Sequence, residues 1–104
     1  MTRIAAYVPD LMDRSKVAAA GGEDVTFVRS PADLLAAGAQ MVVVDLARPG
    51  VLDALAQLDD VHSIGFASHV DRELAEAAAA VGCDEVLPRS RFFSTLTDLL
   101  AGPE

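Results

Sequence analysis

Five times along the chain a short apolar run gives way to a segment with apolar positions at helical spacing. The first run covers residues 3–8 and stops at Pro9; Asp10 then caps a helix over residues 11–20, closed by Gly21 and Gly22. The second run, residues 25–28, is followed by Ser30-Pro31-Ala32-Asp33. That tetrad places a capping serine, a proline at the first helical position and an early acid in front of a helix that Gly38 ends. The third run, residues 40–46, is continuous and β-branched, and it carries a single carboxylate, Asp45, near its end. After the turn Arg48-Pro49-Gly50, a helix over residues 51–58 shows Val51, Leu52, Leu55 and Leu58 at helical spacing and closes at Asp59-Asp60. The fourth run, residues 63–67, leaves Ser68 and His69 at its carboxyl end, and Asp71 caps a helix through Val81 that stops at Gly82. The fifth, residues 84–87, is broken by Pro88, and a last helix over residues 92–101 aligns Phe93, Leu96, Leu99 and Leu100 before Gly102-Pro103.

Strict strand-helix alternation with short connections predicts a parallel sheet covered by helices on both faces, because each crossover is right-handed. A run as evenly apolar as residues 40–46 belongs at the centre of such a sheet, buried on both sides. Ligands of open α/β sheets gather beyond the carboxyl ends of the strands, which makes Asp45 the leading site residue.

Composition narrows the classes. At 104 residues and 52% hydrophobic content the chain predicts one domain over residues 1–104, with no output domain. A single cysteine, Cys83, excludes an internal disulfide and reads as a small core residue. No export segment or bilayer-length apolar run is present in the sequence, so a cytoplasmic location and no membrane partner are expected. The net charge of −8 repels phosphate backbones, which argues against a nucleic-acid partner despite Arg89 and Arg91.

Specific chemistries can be weighed the same way. Gly21-Gly22 follows a helix instead of joining a strand to one, so no nucleotide-binding loop is built there. Ser68, His69 and Asp71 lie within four residues and lack a nucleophile elbow, which favours polar-loop and capping roles over a triad. His62, at a strand start, is expected to face solvent. For Asp45 two readings stand: it bonds to backbone amides of its own turn, or it accepts a phosphoryl group or a metal.

Residues 42–46, followed by Pro49-Gly50, resemble the phosphoacceptor strand and turn of the receiver domains of bacterial two-component response regulators. Residues 64–69 and 82–87 are similar to that family's fourth strand and its approach to the fifth. The resemblance implies a flavodoxin-like (CheY-like) three-layer sandwich with strand order 2-1-3-4-5. It also implies Asp45 as phosphoacceptor, with Mg2+ held by Asp10 and Asp45, and Ser68, His69 and Arg89 as site neighbours. The family's motifs are incomplete here. Its acidic pair at the end of the first strand falls on Val8-Pro9, its switching hydroxyl on Ala67, and its lysine on Arg89; the one lysine of the chain is Lys16.

The expectation is therefore a stand-alone pseudo-receiver, not an enzyme, which signals by contact with a kinase, a downstream regulator or a second copy of itself. The expected surface is that of the fourth and fifth strand-helix units, displaying Arg72, Glu76, Glu85, Arg91 and the Phe92-Phe93 helix start. Two alternatives remain: a working phosphoacceptor using Asp45, Mg2+ and Arg89, and a small-ligand module with its crevice between Asp10, Asp45, Ser68 and Arg89.

Overall fold

The computed structural model describes residues 3–101. Its five strands are β1 (Ile4–Tyr7), β2 (Val25–Phe27), β3 (Met41–Asp45), β4 (His62–Ala67) and β5 (Glu85–Pro88). They form one parallel sheet in the order β2-β1-β3-β4-β5, with Ile4 level with both Val25 and Met41, Met41 with His62, and Ile64 with Glu85. The predicted fold class and strand order are those observed.

Alternation along β3 divides the core. Met41 and Val43 face one side with Val17, Phe66, Phe92, Leu96 and Leu100, while Val42 and Val44 face the other with Leu34, Val51, Leu55 and Ala78. The first side is closed by α1 (Leu11–Gly21), α4 (Arg89–Ser94) and α5 (Leu96–Leu100); the second by α2 (Val51–Ala56), α3 (Arg72–Ala80) and a 3-10 turn, Pro31–Ala36. Gly65 on β4 is required by packing, since a Cβ there would sit 2.6 Å from Cγ of Leu46.

Several local expectations are corrected. The segment after Ser30 winds as a six-residue 3-10 turn instead of a helix to Gly38. It buries one side chain, Leu34, and Ser30 makes no side-chain cap bond, so little holds a longer helix there. The last helix starts at Arg89, directly after β5, and is interrupted at Thr95, whose hydroxyl donates to the Arg91 carbonyl at 2.8 Å. The proposed end at Gly102-Pro103 lies outside the described residues. On this helix Phe92 is fully buried, in line with Leu96 and Leu100, and Phe93 is half-buried beside it. Phe92 stacks on Phe66 with centroids 4.4 Å apart, which removes it from the docking surface expected of this helix.

His62 faces solvent only in part. It is half-buried at the start of β4, with Nε2 2.7 Å from Glu85 across the β4–β5 pair. Beside it the Asp84 carboxylate accepts the Ser63 amide at 2.8 Å. Cys83 is half-buried next to this cluster, and burial pushes its thiol pKa up.

Candidate functional site

The carboxyl ends of β1, β3 and β5 bring together residues from distant parts of the chain. β1 runs into the buried Val8, then Pro9, and Asp10 follows as the N-cap of α1, with Oδ1 accepting the amides of Met12 and Asp13 at 3.0 Å each. The Asp13 amide foremost, then that of Met12 and the nearby charges of Arg89 and Arg48, hold the Asp10 carboxyl below its ordinary pKa, against an opposing desolvation.

Asp45 ends β3. Its Oδ1 accepts the Ala47 amide at 3.0 Å and its Oδ2 pairs with Nε of Arg48 at 3.3 Å. The turn-binding role expected of a strand-end aspartate is thus present, with an arginine added. Its side chain is 14% exposed, enough to leave the carboxylate reachable from the strand-end surface.

Arg89 leaves β5 as the first residue of α4 and reaches across to α1. Its Nη1 donates to Oδ2 of Asp13 at 2.5 Å and its Nη2 donates to Oδ1, a bidentate pair. Asp13 is 1% exposed. The guanidinium also lies 5.0 Å from the centroid of the Phe93 ring. Its pKa is raised, first by the hydrogen bonds to Asp13 and then by the charges of Asp13, Asp10 and Asp45, while burial opposes the shift. Arg89 is therefore a fixed cation facing three carboxylates. Ser68 and His69 are exposed beyond the end of β4, and among the described residues no hydrogen bond links either to Asp45 or Arg89.

Of the residues expected at the site, Asp10 and Asp45 both act on Arg89 through their charges, and Ser68 and His69 make no hydrogen bond to them among the described residues. Asp13 escaped sequence reading. The signal was its phase: four residues before the buried Val17, it lies on the inward stripe of α1, where a carboxylate requires a partner.

Mg2+ prefers octahedral oxygen donors, with carboxylates among them. Here the Asp10 and Asp45 carboxylates take up backbone amides, and Asp45 and Asp13 take up guanidinium groups. Among the described residues no group of three or more His, Cys, Asp or Glu is placed to hold a metal ion. As arranged, this donor set does not fit a resident divalent cation.

The whole chain matches solved receiver structures. The BeF3-activated DrrB receiver domain aligns over 97% of this chain and 95% of its own, with a TM-score of 0.82 at 17% identity. This chain has the receiver-domain fold. A response regulator from Thermotoga maritima shares that fold at a TM-score of 0.78 and 14% identity, covering 97% of this chain and 96% of that one. The Mn2+-bound form of the response regulator Rcp1 does so at 0.74 and 14%, over 96% and 89%. No protein-family model matches the sequence, and no curated protein matches it significantly. No described helix is long and apolar enough to cross a membrane.

Proposed function

We propose that this receiver-fold chain is a pseudo-receiver, a non-enzymatic signalling module that works by protein contact and without phosphoryl transfer at Asp45. The observation that carries the reading is the bidentate pair between Arg89 and the buried Asp13. Phosphoryl transfer to a carboxylate needs a mobile cation bridging protein and phosphate oxygens. In this chain the positive charge at the strand ends is covalently part of the protein and already neutralised by an acid.

Partner contact is assigned to the face of the fourth and fifth units. Arg72 and Glu76 lie there as an exposed i,i+4 pair on α3, and Arg91 is exposed on α4. Phe93, half-buried against the core, supplies the aromatic surface that Phe92 does not. A kinase, a downstream regulator or a second copy of the chain are the partners this reading admits.

A working phosphoacceptor has one observation in its favour, the partial exposure of the Asp45 carboxylate at the end of β3. Intact mass after incubation with Mg2+ and acetyl phosphate separates the two, with Asp45→Asn as control. The expected result is an unchanged mass for both proteins. A gain of one phosphoryl group, absent in Asp45→Asn, overturns the pseudo-receiver reading.

A further inference from the structure

A second cleft opens on the other side of β1, beyond the carboxyl ends of β1 and β2. It encloses about 430 Å3 and is lined by Tyr7, Pro9, Arg14, Phe27 and Arg29 among others. Its charged lining residues are both arginines, in a chain with sixteen acids and eight bases. Another cleft of this volume, at the opposite end of the sheet, is lined by Asp59 and Asp60 and by no described cation.

The two arginines come from different elements, Arg14 from the first turns of α1 and Arg29 from the loop after β2. Among the described residues neither has a carboxylate within 4.0 Å. The Arg14 guanidinium lies 4.7 Å from the centroid of the Phe27 ring. An aromatic face supports a guanidinium on one side and leaves its peripheral N–H groups free to donate. Asp13, next to Arg14 along the chain, is paired with Arg89, and neither it nor Asp10, whose Oδ1 accepts the amides of Met12 and Asp13, lines the cleft.

We infer that this cleft is a binding site for a small phosphate-bearing molecule. Guanidinium forks match phosphate oxygens bidentately, and two forks from separate elements suit two phosphate groups or two sides of one. The volume falls within the range of small-molecule sites, and the cleft lies outside the carboxyl ends of strands, the ligand-binding side of α/β sheets, one strand away from the β1–β3 switch point. The half-buried Tyr7 adds a phenolic donor at the edge. This site differs from the Asp45 cluster in residues and in charge, and it holds whether or not Asp45 is a phosphoacceptor.

The test is an NMR titration of the full chain with inorganic pyrophosphate at moderate salt, following backbone amides, with Arg14→Gln, Arg29→Gln and Arg91→Gln as variants. All three side chains are exposed, so the fold is expected to persist, and the amide spectrum itself verifies it. Saturable shifts at Tyr7, Arg14 and residues 27–29, weakened about ten-fold by Arg14→Gln and by Arg29→Gln but not by Arg91→Gln, are expected. Three outcomes overturn the inference: no saturation by about 10 mM pyrophosphate, a midpoint that all three variants change equally, or shifts centred on Asp45 and Arg89. Binding of a phosphopeptide with no response to pyrophosphate also overturns it, since that would assign the arginines to a protein partner.

Discussion

Arg89→Ala leaves the Asp13 carboxylate, whose side chain is 2% exposed, without its cation. Breaking a buried ion pair from one side costs about 3–5 kcal/mol, because the remaining charge stays desolvated. The arginine side chain is 37% exposed, so water reaches the vacated place and screens the acid. That discount brings the expected loss to about 2–3 kcal/mol, including the contact with Phe93. In a domain of this size the melting temperature should fall by about 10–20 °C. Urea denaturation followed by circular dichroism measures the free energy, and the cycle of Asp13→Asn, Arg89→Gln and the double variant isolates the pair. A coupling of about 1.5–3 kcal/mol is expected, with the double variant more stable than the two single losses combined would allow. Stability of Arg89→Ala within about 0.5 kcal/mol of the parent, or zero coupling in the cycle, would refute the reasoning. The proposed function would then lose the observation that carries it, since Arg89 would be free to serve a phosphoryl group.

Asp10→Ala removes the cap of α1 and a carboxyl whose pKa is lowered on folding from an ordinary value of 3.8. A lowered carboxyl stabilises the fold above its unfolded pKa and stops doing so as pH falls through the folded value; the variant's melting deficit should be full at pH 7 and shrink toward pH 3, and equal deficits would contradict this. Gly65→Ala places a Cβ 2.6 Å from Leu46 Cγ and should cost about 1–3 kcal/mol, part of it recovered when Leu46 is shortened to Ala; an unchanged urea midpoint would contradict the packing. Cys83, with its thiol pushed up by burial, should react with iodoacetamide at least about ten-fold more slowly in the folded protein than in urea, and equal rates would place it at the surface.

What was legible in the sequence was local. Strand runs, the caps Asp10 and Asp71, and a parallel sheet covered on both faces follow from patterns a few residues wide together with the handedness of crossovers, while the strand order came with the resemblance to receiver domains. The misses came from register and tertiary choice. The last helix begins at Arg89 instead of residue 92, and Phe92 joins the core at its start with Phe93 half-buried beside it. His62 reads as solvent-facing until the β4–β5 register brings Glu85 beside it. The Asp13–Arg89 pair spans 76 residues, beyond any local pattern.

That pair also joins two departures that look independent in the sequence: a first strand ending in Val8-Pro9 without the acids seen in the receiver family, and an arginine where that family has lysine. A carboxylate at a strand end faces the open cleft and can share an external cation with a phosphoryl group. The same charge carried a few residues later, on the inward stripe of a helix, is shut away from solvent and must be neutralised from within the chain. A guanidinium suits that task better than an ammonium, because its fork meets both oxygens of one carboxylate. An acid at position 13, in α1, therefore creates the need that Arg89 meets, and the two residues act together as one permanent internal ion pair beside the strand ends.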